Sequence, residues 1–188
     1  LSEKYKKNIK VLNVLSQISQ NMGDIDTTIN SLKKILLIEN NNINLLTKIY
    51  KLFLTKSSLD EALENISLIL KVEKNNYEAT RDKAYIHFLK KEFPEAKKCI
   101  EKISKLKDDD YFGYNIKGLI SLKNNKLNIA KDCFENAIKI NKQYIDSYNN
   151  LGVCLLELEK LNEAYEVFLN GYNIDTKNIK TLINLGNV

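Results

Sequence analysis

The sequence is short of the residues that interrupt helices. Among 188 residues there are one proline, six glycines and no tryptophan. Proline and glycine end or bend regular helices, so their scarcity favours helical structure over most of the chain. Polar stretches such as KNNK and KDDD supply the turns instead, because Asn and Asp side chains bond to nearby backbone groups. The composition therefore predicts a nearly all-helical, all-α chain.

Neither sign of charge is concentrated in one part of the sequence. The 29 basic and 24 acidic residues are interspersed and leave a net charge of +5. This mixture is typical of solvated helix faces, so we expect no nucleic-acid partner. Apolar runs of about 20 residues, which a membrane helix needs, are missing, and no signal peptide opens the chain. We expect a cytoplasmic protein that does not insert into membranes, although missing termini could change this.

A 34-residue repeat runs through the sequence. Gly118, Gly152 and Gly186 are spaced by 34 residues, and a second set of small residues has the same spacing: Ala62, Ala96, Ala130 and Ala164. This register gives five full repeats, at 9–42, 43–76, 77–110, 111–144 and 145–178, and a sixth that begins at 179–188. We interpret residues 1–8 as the end of a preceding helix. Because the chain starts without methionine, we expect it to be a piece of a longer protein.

Each repeat contains two amphipathic segments of about 13 residues, which are predicted to be helices. Gly152 on the first helix and Ala164 on the second are expected where the antiparallel pair crosses, since larger side chains would push the axes apart. Phe168 is expected to fill the space beneath the next repeat. One hairpin cannot bury its apolar face alone, so we predict that the hairpins stack into an α-solenoid, a single domain over residues 1–188.

The repeats resemble the tetratricopeptide repeat. The motif of that family is matched best by Tyr148, Leu151, Gly152, Ala164 and Phe168, and in the preceding repeat by Tyr114, Gly118, Ala130, Phe134 and Ala137. The resemblance implies a right-handed superhelix whose first helices line a concave groove that binds a peptide or helix of a partner. Tyr50 departs from the motif, because it stands where a small residue is usual. We expect the second hairpin to be splayed or locally repacked.

The predicted groove positions lie on the first helices, on the face opposite Gly152. In the first two repeats they are polar: Lys10, Asn13, Gln17, Thr47, Lys48 and Lys51. In the later repeats we predict these partner-binding residues: Arg81, Tyr85, Phe88, Phe112, Asn115, Ile116, Leu119, Asn149, Asn150, Val153 and Asn184. Tyr85 and Phe112 are the favoured contacts, and Asn150 and Asn184 are expected to form a short amide ladder for a peptide backbone. Leu122 and Leu156 complete an apolar strip along this face. For these two residues, the alternative to contact with a partner is packing between neighbouring first helices.

The sequence contains no arrangement of residues that predicts catalysis. There is no Gly-rich phosphate loop and no Ser or Cys nucleophile beside a base. The only histidine, His87, falls in a core-facing position and is interpreted as packed. We therefore predict no enzyme activity, no catalytic residue, no cofactor and no bound metal. The acidic run Asp108, Asp109 and Asp110 is interpreted as a turn that caps the next helix, in preference to a cation site.

Three cysteines, Cys99, Cys133 and Cys154, form neither a CxxC pair nor an even set. Neither a zinc site nor a disulfide framework is therefore predicted. Cys99 and Cys133 lie at equivalent positions on neighbouring second helices, expected to be about 10 Å apart, which is too far for a disulfide. We expect reduced, buried thiols.

The leading functional prediction is a non-catalytic protein–protein interaction scaffold that binds a partner peptide or helix in the groove. A chaperone-type carboxylate clamp is disfavoured, because Leu119 stands where that clamp needs an asparagine and Asn184 where it needs an arginine. One alternative is a substrate-docking or regulatory arm of a larger enzyme, such as a glycosyltransferase. Another is self-association through the sixth repeat and the apolar strip, which would give a homo-oligomer.

Overall fold

Helix boundaries recur at intervals of 34 residues. The structure, a computed structural model, describes residues 3–107 and 109–188, with side chains from residue 8 onward. Its helices are α1 (Glu3–Asn21), α2 (Ile25–Ile38), α3 (Ile43–Thr55), α4 (Leu59–Val72), α5 (Tyr77–Leu89), α6 (Phe93–Leu106), α7 (Tyr111–Lys123), α8 (Leu127–Ile140), α9 (Ile145–Glu157), α10 (Leu161–Ile174) and α11 (Ile179–Gly186). The described residues contain no strand. The prediction of an all-α chain with five helix-turn-helix repeats and the first helix of a sixth is confirmed.

The first helix extends further towards the N-terminus than predicted. It runs from Glu3 to Asn21 without a break, so residues 3–8 belong to the first helix of repeat one and not to a preceding helix. No glycine or proline interrupts the sequence between these two ends, so nothing forces the helix to stop. Residues 1 and 2 lie outside the described residues.

Asn and Asp side chains begin most of the first helices. Asn42, Asn76, Asp110 and Asn178 are spaced by multiples of 34, and each side chain accepts a hydrogen bond from the backbone N–H three residues later. These bonds satisfy N–H groups that have no partner within the helix. Tyr144, at the equivalent position before α9, makes no such side-chain bond. The polar turns predicted from Asn and Asp therefore work mainly as helix caps.

The turns inside the hairpins share one backbone conformation. Ser57, Lys91, Asn125 and Glu159 have φ of 59°, 61°, 56° and 60°, and Gly23 at the equivalent position has φ of 74°. Glycine adopts this left-handed region readily, whereas a Cβ atom is crowded by the following carbonyl oxygen. Four of these five turns therefore hold a residue with a side chain in a strained backbone conformation.

The chain divides into two compact units, residues 1–86 and 87–188, and the division falls within α5. We call them the N-terminal unit and the C-terminal unit. The core of the N-terminal unit is largely aliphatic, and its almost fully buried members include Ile35, Leu46, Ile49, Ile66 and Ile69. Tyr50 is also buried, and its hydroxyl donates to Asp82 Oδ2 at 2.9 Å. The second hairpin is thus repacked around Tyr50, as one of the two sequence alternatives predicted.

The core of the C-terminal unit contains one buried phenylalanine ring in each of two hairpins. Phe134 and Phe168 are both fully buried. A Cβ atom placed on Gly152 would lie 2.3 Å from Phe168 Cε1, and one on Gly118 would lie 2.5 Å from Phe134 Cε1. The sequence predicted Phe168 beneath the next repeat, but its ring lies against the first helix of its own repeat. Glycine at position 152 therefore makes room for this ring.

Candidate functional site

The first helices of the C-terminal unit, α7, α9 and α11, pack beside one another. Five of the predicted groove residues on these helices are half-buried: Phe112, Leu119, Asn150, Val153 and Asn184. We call these five residues the first-helix face. Leu119 and Val153 pack against the core of the unit, as Leu122 and Leu156 also do. The apolar strip is therefore narrower and less exposed than the sequence predicted.

Three predicted groove residues are buried instead of exposed. Ile116 is 0% exposed, Asn149 is 1% exposed and Asn115 is 3% exposed. The helices that carry them pack against their own second helices and against other first helices, so only a narrow stripe of each remains accessible. The prediction that these three side chains lie open in a groove is wrong for this structure, in which they pack between helices.

Two amide pairs connect successive first helices. Asn150 Nδ2 on α9 donates to Asn115 Oδ1 on α7 at 2.9 Å, and Asn184 Nδ2 on α11 donates to Asn149 Oδ1 on α9 at 3.3 Å. Because both pairs have the same sequence separation, the same bond recurs in successive repeats. The arrangement differs from the predicted ladder, since Asn150 and Asn184 each bond to the preceding first helix. Their own Oδ1 atoms accept no hydrogen bond from the described residues.

Asn149 and Asn115 differ in how completely their amides are satisfied. Asn115 Oδ1 accepts from Asn150 Nδ2 and also from the Oγ of buried Ser147, at 3.3 Å. Asn149 Nδ2, in contrast, is buried and has no acceptor among the described residues. A buried donor without an acceptor costs about 1–3 kcal/mol of stability. Asn149 therefore carries a buried donor that the described residues leave unsatisfied.

Arg81, a predicted groove residue of the N-terminal unit, is held by its neighbour in sequence. Its Nε donates to Asp82 Oδ1 at 2.8 Å, and the other carboxylate oxygen of Asp82 accepts the Tyr50 hydroxyl. Burial, followed by the charge of Asp82, raises the pKa of Tyr50 well above its ordinary value. The sequence analysis did not predict that Asp82 holds Arg81 and Tyr50. Tyr50 was the signal for such a residue, because a buried tyrosine hydroxyl needs a hydrogen-bond partner.

The aromatic residues of the predicted site differ in exposure. Tyr85 on α5 is 40% exposed. Phe112 is half-buried, and its ring centroid lies 6.5 Å from that of Tyr144. Phe88 is half-buried as well, with its ring 6.2 Å from Phe93. Of the two favoured contacts, Tyr85 therefore offers more surface, whereas Phe112 is partly used in packing.

Comparison with family models identifies the repeat. Two models of the tetratricopeptide repeat match residues 113–144 and 133–166. The helix pairs keep the same 34-residue spacing before and after these segments. Residues 113–166 therefore match tetratricopeptide repeats. A search of curated protein sequences finds no match.

Solved structures with the same fold are tetratricopeptide repeat proteins of low sequence identity. MamA from Desulfovibrio magneticus RS-1 is 17% identical, with 92% of this chain and 97% of that chain covered and a TM-score of 0.71. PilF of Pseudomonas aeruginosa is 17% identical, with 97% and 83% covered and a TM-score of 0.71. YrrB, described as a repeat protein of this family with an unusual peptide-binding site, is 15% identical, with 89% and 87% covered and a TM-score of 0.57.

The family and the fold support a general role for this tetratricopeptide repeat chain. Proteins built from these repeats generally bind other proteins, and proteins of this fold are typically non-catalytic scaffolds. The chain is therefore supported as a protein–protein interaction scaffold in this general sense. Which surface binds, and what it binds, requires an argument from the residues themselves.

The titratable residues of this tetratricopeptide repeat chain that sequence reasoning singled out have structural partners. His87 is 9% exposed, and its Nδ1 lies 2.6 Å from Glu92 Oε2. The hydrogen bonds from His87 and then Lys90 lower the pKa of Glu92. Asp110 caps α7, while Asp108 lies outside the described residues. In the part of the chain that the structure describes, no three His, Cys, Asp or Glu side chains are grouped to hold a metal ion.

The cysteines of this repeat chain are less uniform than predicted. Cys154 is buried, but Cys99 and Cys133 are half-buried, and none of the three is in a disulfide. Burial raises the pKa of the Cys133 and Cys154 thiols, which favours the protonated form. Among the described helices, none combines the length and the apolar character that crossing a bilayer requires. The cellular location and the lack of a nucleic-acid partner stay predictions.

Proposed function

We propose that this chain is a non-catalytic scaffold that binds a peptide or helix of a protein partner on the first-helix face. Leu119 and Val153 supply apolar contact area on two neighbouring first helices, and half-buried amides flank them. Apolar side chains that are rimmed by hydrogen-bonding groups are typical of interaction surfaces. Binding a partner here would remove the remaining accessible surface of Leu119 and Val153 from water.

The amide arrangement carries this proposal. Asn150 and Asn184 use their Nδ2 atoms to bond the preceding first helix, so their positions are fixed while their Oδ1 atoms stay unpaired among the described residues. Held amide acceptors match the N–H groups of a peptide backbone. YrrB, which has the same fold, is described as having a peptide-binding site, and this agrees with a peptide as ligand.

A capture experiment with matched surface variants tests the proposal. Wild-type chain and a Leu119→Lys, Val153→Lys variant are immobilised, and retained proteins from cells of the source organism are quantified. The control carries Ile129→Lys and Tyr165→Lys, since these residues are 52% and 46% exposed on the second helices α8 and α10. We expect specific partners to be lost from the first variant and kept by the control. Equal retention of all partners by both variants would contradict binding at the first-helix face.

Self-association is a second candidate function, because two helices expose apolar stripes. On α1 the exposed stripe consists of Val11, Val14, Leu15 and Ile18, and exposed Met22 follows directly after the helix. On α11 the exposed residues are Ile179, Leu182 and Ile183. Apolar rows of this kind commonly mark contact surfaces between protein chains. We propose that copies of the chain associate through these stripes.

Light scattering during gel filtration tests self-association. We expect the wild-type mass to rise with concentration and a Val14→Lys, Ile18→Lys variant to stay at the monomer mass. An Ile129→Lys, Tyr165→Lys variant serves as the control, because it changes the same number of exposed apolar residues elsewhere. A wild-type chain that stays monomeric at high concentration would remove this candidate.

A further inference from the structure

A cavity between the second helices α2 and α4 of the N-terminal unit is not used by the proposed function. Its volume is about 890 Å³, within the range of about 300–1,000 Å³ that is typical of small-molecule sites. Leu68 of α4 faces α2 across the cavity, and buried Leu46 of α3 lies at its base. We propose that this cavity binds a fatty acid, with the aliphatic chain against its leucines and the carboxylate beside the lysines of α2. The lining is separate from the first-helix face and from the stripes of α1 and α11.

Four leucines from three helices meet at this cavity: Leu36, Leu37, Leu46 and Leu68. Leu37 is 79% exposed and Leu68 is 42% exposed, whereas Leu36 is half-buried. Single exposed leucines are normal on protein surfaces, but leucines that converge on one concavity from separate helices form a continuous apolar patch, which commonly marks a binding site. A ligand in the cavity would remove the exposed surface of Leu37 and Leu68 from water, which is favourable.

The leucine wall suits an aliphatic chain better than other apolar ligands. The described lining contains no aromatic ring, so a planar ligand finds no ring on which to stack. An alkyl chain has no polar group along its length and gains free energy for each CH₂ group that it buries. An extended peptide fits less well, because its backbone N–H and C=O groups would face leucines that cannot bond to them.

Positive charge lies at one end of the leucine wall. Lys33 and Lys34 line the cavity about one helical turn before Leu37 on α2. The Nζ atom of Lys33 lies over the ring of Phe53, 5.0 Å from its centroid. This cation–π contact holds the ammonium group in place without neutralising its charge. A carboxylate at this end could accept hydrogen bonds from the ammonium groups while its chain contacts Leu37.

The other end of the cavity is polar but uncharged. Asn40 and Asn41, in the turn after α2, line this end. The acid of the same turn, Glu39, is held by Asn42, whose Nδ2 donates to Glu39 Oε2 at 2.8 Å. The charges of the lining are thus confined to one end of the leucine wall. A ligand with a single charged head and a long neutral tail matches this distribution of charge.

Titration with dodecanoate tests the proposal. The whole chain is labelled with ¹⁵N and followed by NMR, and the fatty acid is kept below the concentration at which it forms micelles. We expect saturable one-to-one binding, with the largest shifts at the backbone amides of residues 30–41 and 68. From octanoate to dodecanoate, affinity should rise about twofold to fourfold for each added CH₂ group, whereas butyrate should not bind.

Matched variants separate the tail site from the head site. Leu37→Asn, Leu68→Asn should bind dodecanoate roughly tenfold more weakly or not at all. The control Ile129→Asn, Leu161→Asn changes two residues that are 52% and 57% exposed on second helices of the C-terminal unit, and should bind like the wild type. Removing the charges of Lys33 and Lys34 with glutamine should weaken dodecanoate binding roughly twofold to fivefold and leave binding of 1-dodecanol unchanged.

Several results would overturn the proposal. Equal weakening by the two apolar variants, or shifts of equal size at the stripes of α1 and α11, would mean that the chain adsorbs fatty acids without a site. No saturable binding at millimolar concentration would contradict the site itself. A protein captured from cells that only Leu37→Asn, Leu68→Asn fails to retain, with no binding of dodecanoate, would assign the leucines to a protein partner. Circular dichroism of each variant verifies that these exposed substitutions leave the helices intact.

Discussion

The ring of Phe168 lies directly against Gly152, sixteen residues earlier in the same repeat. Phe134 stands in the same relation to Gly118 in the preceding repeat. Both rings are fully buried, so neither can move aside without disturbing the core. The recurring glycine of the first helix is thus explained by the recurring phenylalanine of the second, since any Cβ atom at the glycine would overlap the ring.

This contact predicts that alanine at either glycine destabilises the protein. Overpacking costs about 1–3 kcal/mol, and the better helix propensity of alanine returns up to about 1 kcal/mol, so we expect a net loss of about 1–2 kcal/mol for Gly152→Ala and Gly118→Ala. Gly186→Ala is the control, because a Cβ atom there meets nothing within 4 Å. Urea unfolding measures all three variants. A Gly152→Ala variant as stable as the control would contradict the packing described.

The left-handed turn residues predict a gain in stability on replacement by glycine. Lys91 and Glu159 both have φ near 60° without being glycine or asparagine. Their left-handed conformation costs about 1–2 kcal/mol, which glycine would relieve. Glycine also gives the unfolded chain more conformational entropy, which offsets part of this relief, so each replacement should stabilise the protein by about 0.5–1 kcal/mol. Asn125→Gly should gain less, because asparagine tolerates this region. Thermal unfolding of the three variants tests the order. Loss of stability in Lys91→Gly and Glu159→Gly would show that their turns are not strained.

The buried hydrogen bond between Tyr50 and Asp82 predicts a loss of stability at alkaline pH. The pKa of Tyr50 is raised in the folded state, so its contribution is complete below the unfolded pKa of about 10 and is lost as the pH rises towards the folded value. We expect the free energy of unfolding to fall above pH 10 by up to about 1.4 kcal/mol per pH unit from this residue. Tyr50→Phe removes this dependence.

Urea unfolding at pH 8 and pH 10.5 separates Tyr50 from the other titrating groups. At pH 8, Tyr50→Phe should be less stable by about 1–2 kcal/mol, because Asp82 loses a donor. Between the two pH values, Tyr50→Phe should lose less stability than the wild type. Tyr165→Phe, a change at an exposed tyrosine, should follow the wild type. A wild-type chain and a Tyr50→Phe variant with the same pH dependence would exclude this contribution.

The side-chain amide of Asn115 makes more hydrogen bonds than that of Asn149, so we expect the replacement of Asn115 to lower the free energy of unfolding more. Asn115→Leu leaves the Ser147 hydroxyl and the Asn150 amide without an acceptor, and should cost about 1–3 kcal/mol. Asn149→Leu leaves only the half-buried Asn184 amide without an acceptor and also removes a buried donor that has none, so its cost should be smaller. Chemical unfolding of both variants tests this order. If Asn149→Leu is the more damaging change, the amide of Asn149 is already satisfied within the fold.

The sequence predicted the fold well, because the fold repeats and every repeat gives the same signal. The spacing of Gly118, Gly152 and Gly186 predicts where the helix pairs recur, and the helix boundaries follow the same interval. Each repeat supports the register of the others, so the departure from the motif at Tyr50 affects only its own hairpin. Residues 3–8 were misassigned because no repeat before them supplied a comparison.

The candidate site was predicted only in part, because exposure depends on neighbours that a single helix does not specify. Ile116 and Asn149 fall on the predicted face by helical spacing, yet contacts between successive first helices bury both. The partner of each amide is likewise set by the offset between helices, which pairs Asn150 with Asn115. Spacing within one helix gives a direction for each side chain, whereas burial requires the position of the next helix.

Site-specific photo-crosslinking tests the central claim, that the first-helix face binds a protein partner, most directly. A photoreactive phenylalanine analogue is placed at Val153 on the face or at Tyr165 on the exposed side of α10, and the chain is irradiated in cells of the source organism. We predict a discrete crosslinked partner from position 153 that is absent from position 165 and disappears with Asn150→Ala. Crosslinks from position 165 alone, or the same products from both positions, would contradict the claim.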